Sequence, residues 1–140
     1  ALDRAGKHAG LPPAPCRTRN LRIHGWCAAN NEADPLAIYG ADAAGIRQLL
    51  EQDEKWSAPI HKNYPYTAAE VLWMVRHEMA ITTEDILSRR LRLLFLDAAA
   101  AVEAAPVVTR ILADELQQNS NWMEQQLAQF HAIAERYMLR

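Results

Sequence analysis

The sequence predicts an all-α fold: a compact bundle of five or six helices preceded by an extended, proline-rich connector. Three observations predict it. Apolar residues recur at spacings of three and four from Tyr39 onward, several implied helices open on a capping pattern, and no run alternates with period two long enough to argue for a sheet. With 140 residues, half of them apolar and 23% charged, the chain has the length and composition of one packed domain.

The connector is assigned to 1–38 and the helical domain to 39–140. Pro12, Pro13 and Pro15 fix φ and remove amide donors, which favours an extended path. Leu21, Ile23 and Trp26 are the expected anchors of this segment, and a polar run from Asn30 to Asp34 follows. Asp42 is the expected cap of a first helix through about Glu51, with Ile46, Leu49 and Leu50 inward. Thr67 and Glu70 form a capping box, after which Val71, Leu72, Val75 and Met79 make one stripe. Thr82 and Asp85 repeat the box. The helix they open either continues or breaks into a short and a long piece, with Leu91, Leu94, Phe95, Ala98 and Val102 inward, until Pro106 stops it. Pro106 then suits the first turn of another helix carrying Val108, Ile111, Leu112 and Leu116. Asn121 with Glu124 predicts the start of the last helix, whose inner residues are Met123, Leu127, Phe130, Ala134, Tyr137 and Met138.

Chemical motifs are scarce. A net charge of −2 creates no field to gather a polyanion, so nucleic acid is not an expected partner, although TTEDILSRRLR loosely has the length of a recognition helix. His77 and Glu78 begin a helical zinc motif that Ile81 breaks, and the five histidines do not pair with the glutamates at di-metal spacing; no metal site is expected. Ser57, Ser88 and Ser120 lack a nucleophile elbow. The glycines at 6, 10, 25, 40 and 45 form neither a dinucleotide nor a phosphate loop, so no catalytic and no cofactor-binding residue is expected in these 140 residues. Cys16 and Cys27 read as free thiols, with a bridge between them left open. The apolar stretch around residues 91–102 is interrupted by Arg92 and Asp97 and is too short to cross a bilayer. No secretory signal is visible, and a chain opening on Ala1 reads as an internal piece of something longer.

One cluster stands out: Arg76, Glu78, Asp85, Arg89, Arg90 and Arg92, on two helices meeting near Ile81. It reads as an ion-pair network locking a helical corner, or as a surface that docks another domain through Arg89 or Arg90.

The string EVLWMVRHEMAITTEDILSRRLRLLFLDAAAAVEAAPVV, at 70 to 108, resembles the C-terminal domain of bacterial FAD-dependent glycerol-3-phosphate dehydrogenases. The likeness lies in the R-x-E-M-A step from Arg76 to Ala80, the T-x-E-D-x-L-x-R-R-x-R run from Thr82 to Arg92, and F-L-D-A from Phe95 to Ala98. LPPAPCRTRNLRIHG resembles the family's connector out of a flavin domain, and IYGADAAGI its first C-terminal helix. Leu91 stands where a smaller or polar residue is expected, and Gln117 to Asn119 replaces a Gly-Trp ending. The resemblance implies a parent enzyme that oxidises sn-glycerol 3-phosphate to dihydroxyacetone phosphate, passing electrons through FAD to membrane quinone. It places FAD and substrate in an upstream FAD-binding domain of the same chain and gives this fragment a noncatalytic capping or docking role with the Arg89 to Arg92 run in contact. It also implies a cytoplasmic enzyme, peripheral at the inner face of the cytoplasmic membrane, with a homodimer left open. The alternative is a free-standing helical interaction or regulatory domain.

Overall fold

The computed structural model describes residues 1–28 and 33–138, so most of the polar run from Asn30 to Asp34 lies outside the described residues. The described chain is mostly helical: α1 (Leu2–His8), α2 (Ala43–Gln52), a hairpin of β1 (Pro59–His61) and β2 (Tyr64–Thr67), α3 (Ala68–His77), α4 (Leu93–Leu96), α5 (Ala98–Glu115) and α6 (Ser120–Ala134). The all-α class is what the helical periodicity predicts; the hairpin is an addition to it. Each strand is only three or four residues long and contains a proline, so its alternation is too brief to register in the sequence.

Helix α3 is the element about which the domain is arranged. Its capping box forms as predicted: Thr67 Oγ1 accepts from the Glu70 amide at 3.4 Å, and Glu70 Oε2 accepts from the Thr67 amide at 2.7 Å. From that start the helix buries two faces. Ala69 and Leu72 join Leu36, Ala43, Ile46 and Leu49 in a small core, while Val71 and Met74 enter a larger one with Ile86, Leu87, Leu94, Val108, Leu112 and Phe130. Gly45 of α2 lies flat against Trp73; a Cβ there would overlap the indole ring. Helix α5 completes the larger core, touching α3, α4, α6 and β1. Its alanines at 100, 101, 104 and 105 are buried, and their small size permits this close approach.

Several local expectations are corrected. Asp42 does not cap α2 through its side chain: its backbone is already helical, at φ −74° and ψ −18°, and its carboxylate pairs with His24 at 2.7 Å. Leu21, Ile23 and Trp26 are exposed and anchor nothing in this domain. Met79 lies beyond the end of α3 at φ +57° and is 85% exposed, so it leaves the predicted stripe. Phe95 faces outward. Arg92, at φ +57°, rotates the chain between the preceding turn and α4, which turns Leu93 and Leu94 inward in its place. Pro106 does not divide two helices but sits inside α5. The hydrogen bond its missing amide would make to Val102 is lost, yet both flanks are held, and Thr109 Oγ1 donates to the Ala105 carbonyl at 2.7 Å. The last helix starts one turn-fraction earlier than expected, with Asn119 rather than Asn121 as its cap and the Trp122 amide 3.0 Å away. It ends at Ala134, so Tyr137 and Met138 lie beyond it and are exposed; Tyr137 meets Phe95 edge-on at 5.4 Å. Cys16 and Cys27 are both free thiols.

The junction between α5 and α6 turns on Gln117, whose φ is +54°. The Gln118 amide donates to the Ala113 carbonyl at 2.8 Å, five residues back, which is the helix ending that favours glycine at the left-handed position. Glycine has no Cβ to strain there. Gln117→Gly is therefore expected to stabilise the domain by about 0.5–1 kcal/mol in urea unfolding at constant slope, whereas Gln117→Val is expected to destabilise it.

Candidate docking corner

The segment from Thr82 begins with the second capping box. Asp85 Oδ2 accepts from the amides of Ile81 at 3.1 Å and Thr82 at 3.0 Å, and Thr82 Oγ1 accepts from the Asp85 amide at 3.1 Å. The turn then widens into a π-helix over Asp85–Arg90, closed by the Leu91 amide on the Ile86 carbonyl at 2.9 Å. Its wider pitch brings residues five apart onto one face. Arg89 consequently clasps both Asp85 and Glu84, each at 2.8 Å. Arg90 turns back: its Nε meets Glu78 at 3.2 Å, and its guanidinium also donates to the carbonyls of Asp85, at 3.1 Å, and Glu78. This pins the end of α3 to the π turn.

The six charged residues divide into three groups. Glu78, Asp85, Arg89 and Arg90 come together at the corner. Arg76 points elsewhere, making a bidentate pair with Glu115 of α5 at 2.7 and 2.8 Å, a partner 39 residues away that no local spacing reveals. Arg92 is exposed and makes no ion pair among the described residues. Glu84 is the member missed in the sequence, because α-helical spacing places residues i and i+5 on different faces. Exposed Met79 and Ile81 precede the π turn in the chain, and exposed Arg92, Phe95 and Leu96 follow it.

The hairpin holds this segment from below. The Tyr66 hydroxyl donates to the Leu91 carbonyl at 3.2 Å, and the Tyr64 hydroxyl donates to Asp97 Oδ2 at 3.2 Å while Asp97 Oδ1 caps α5 through the Ala100 amide at 2.9 Å. Both ends of the Arg92–Leu96 stretch are thus fixed. Buried His61 accepts from the Asn63 amide at Nδ1, which leaves the proton on Nε2 to be donated to Glu103 at 3.1 Å.

None of this arrangement is suited to bond-making chemistry. Among the described residues, no three His, Cys, Asp or Glu side chains converge on a metal position, and no helix is long and apolar enough to cross a membrane. A flavin dinucleotide requires a glycine-rich run of amides at a helix start. The glycines with positive φ, Gly10, Gly25 and Gly40, end α1 or lie where backbones cross, so they form no such run among the described residues.

For Asp85, burial opposes ionisation, but the hydrogen bonds from Thr82 and Ile81 and the charge of Arg89 outweigh it and hold the carboxyl below its ordinary range. A lowered folded value means that the stabilisation is present above the unfolded carboxyl range and is lost as pH falls through the folded value. Below about pH 4, urea midpoints of the native chain are expected to fall more steeply than those of Asp85→Asn. Arg90→Ala, which strands partly buried carbonyls, is expected to cost about 2 kcal/mol, and Arg89→Ala, with both its pairs near the surface, less than about 1 kcal/mol.

Comparison with known proteins identifies the family to which this arrangement belongs. Residues 27–126 match the family described as the C-terminal domain of alpha-glycerophosphate oxidase. The chain is 30% identical over 137 residues to the probable mitochondrial glycerol-3-phosphate dehydrogenase of Dictyostelium discoideum, covering 86% of this chain and 21% of that protein. It is 37% identical over 143 residues to the mitochondrial glycerol-3-phosphate dehydrogenase of Mus musculus, covering 88% and 19%, and 35% identical over 102 residues to glycerol-3-phosphate dehydrogenase 1 of Mycobacterium tuberculosis, covering 66% and 19%. The chain thus spans about a fifth of the length of these relatives. No solved structure gives a significant match to it. With the family pattern running through α2, the hairpin, α3, the π turn, α4, α5 and half of α6, the chain belongs to the family of the C-terminal domain of alpha-glycerophosphate oxidase.

Proposed function

We propose that these 140 residues are the noncatalytic helical C-terminal part of an FAD-dependent glycerol-3-phosphate dehydrogenase. Residues 1–38 form the connector from an upstream flavin domain and 39–140 the helical domain that caps or docks against it. The observation that carries this reading is the family match over 27–126 in a chain that spans about a fifth of its dehydrogenase relatives. The parent, on this reading, oxidises sn-glycerol 3-phosphate to dihydroxyacetone phosphate with FAD as cofactor and membrane quinone as electron acceptor. It works in the cytoplasm, peripheral at the inner face of the cytoplasmic membrane. All reacting groups belong to the part outside these residues.

Within the helical domain, the Arg89 to Arg92 run is the proposed contact. Arg89 and Arg90 shape the corner through internal pairs, and Arg92 is free to meet a partner. Holding a non-glycine residue at φ +57° costs about 1 kcal/mol, as it does at Met79 and Gln117.

Three measurements test the proposal. The purified 140-residue chain is expected to fold without bound flavin and without oxidising glycerol 3-phosphate; stoichiometric flavin or turnover in that chain would refute the reading. Arg92→Gly is expected to act with opposite signs, raising the stability of the isolated chain by about 0.5–1 kcal/mol while lowering the melting temperature of the full-length enzyme. Equal gains in both would remove Arg92 from the contact. Arg89→Ala with Arg90→Ala in the full-length enzyme is expected to reduce stability more than turnover, and lost turnover with unchanged melting and flavin content would contradict a docking role.

A further inference from the structure

Residues 24–25 of the connector meet residues 40–42 of the helical domain. The Ala41 amide donates to the Gly25 carbonyl at 3.0 Å, His24 Nε2 pairs with Asp42 at 2.7 Å, and Gly25 and Gly40, with φ of +79° and +55°, let the two backbones cross. A Cβ on Gly40 would overlap the Gly25 carbonyl oxygen. N-terminal to this joint the chain is held by short turns of its own, with the Leu21 amide on the Thr18 carbonyl at 3.4 Å and the Trp26 amide on the Ile23 carbonyl at 3.1 Å. The Arg22 guanidinium lies over the Trp26 ring, 4.0 Å from its centroid. The segment is thus locally ordered, yet Leu21 is 63% and Ile23 74% exposed, and neither belongs to either core.

Its charge is equally one-sided. The first 28 residues carry Arg4, Lys7, Arg17, Arg19 and Arg22 against the single acid Asp3, while the rest of the chain is acidic in balance. Among the described residues none of Arg17, Arg19 and Arg22 has an ion-pair partner. The family match begins at Cys27, at the joint, whereas the matches to the longer relatives cover 86–88% of this chain. The exposed segment therefore lies outside the helical domain proper and within reach of whatever precedes it in the longer protein.

We infer that Arg17 to Trp26 is a docking segment that inserts Leu21 and Ile23 into an apolar depression, edged by carboxylates, on the upstream portion of the same polypeptide. This rests on the reading of the chain as the C-terminal part of a longer enzyme. The turns and the Arg22–Trp26 stack pre-form the segment, so little ordering entropy is lost on contact. The Gly25–Gly40 joint fixes where it enters. Covalent attachment makes the contact intramolecular, so a small apolar surface suffices.

The three arginines supply the test, because trypsin cleaves after each of them when the segment is free. Cleavage after Arg17, Arg19 and Arg22 is expected to be at least about tenfold slower in the flavin-loaded full-length enzyme than in the 140-residue chain. Leu21→Asp with Ile23→Asp is expected to restore cleavage in the full-length enzyme and to leave the thermal unfolding of the 140-residue chain unchanged. Equal cleavage rates in both forms, with flavin and activity intact, would overturn the docking segment and spare the enzyme assignment. Protection that develops only on adding vesicles of mixed neutral and anionic phospholipid would overturn it in favour of a lipid surface. A full-length protein that binds no flavin would overturn both readings.

Discussion

The domain depends on a carboxylate that water scarcely reaches. Glu70 is 3% exposed; its Oε2 accepts from the amide and the hydroxyl of Thr67, and its Oε1 accepts from Tyr39 at 3.1 Å. Burial pushes its carboxyl above the ordinary range, against hydrogen bonds from Thr67 and Tyr39 that favour the charged form. The position satisfies the start of α3, and through Tyr39 it ties in the turn that precedes α2. Tyr39 packs against both cores, so one buried acid sets the alignment of the helix that separates them with the segment that closes the smaller one. A polar group in this setting is tolerable only because its acceptors are occupied.

Downstream of α3 the chain solves a different problem, turning sharply several times while keeping Ile86, Leu87, Leu91, Leu93 and Leu94 inside. The π turn, the left-handed residue at Arg92 and the Asp97 cap each change the rotational phase of the helix. Between them they permit five large aliphatic residues within nine positions to reach one core. The left-handed residue at Arg92 leaves Phe95 and Leu96 outward as it turns Leu93 and Leu94 in, so core filling and this part of the exposed apolar surface have a common origin.

What was legible in the sequence was mostly local. The boxes at Thr67–Glu70 and Thr82–Asp85 were readable because cap and partner lie three residues apart and compete with nothing else. Asn121–Glu124 satisfied the same pattern, but the left-handed turn at Gln117 leaves Asn119 extended, at φ −95° and ψ 175°, and so placed to cap first. Pro106 was read as a boundary because its cost is local, whereas the packing that carries α5 through it is not. The hairpin had too few residues to show a period. Of the charged corner, the residues themselves were visible, but not their pairing: Glu84 reaches Arg89 only through a π turn, and Glu115 reaches Arg76 only across the fold. The absence of a dinucleotide motif was plain from glycine spacing alone.

The crossing of Gly25 and Gly40 separates two kinds of evolutionary freedom. The direction in which the chain leaves the helical body is set by backbone atoms in contact, with no room for a methyl group between them. Side chains along the connector can therefore drift to suit a changing neighbour without tilting the body. An alanine at position 40 would do the reverse, leaving every recognition residue intact while swinging the whole helical body to a new angle.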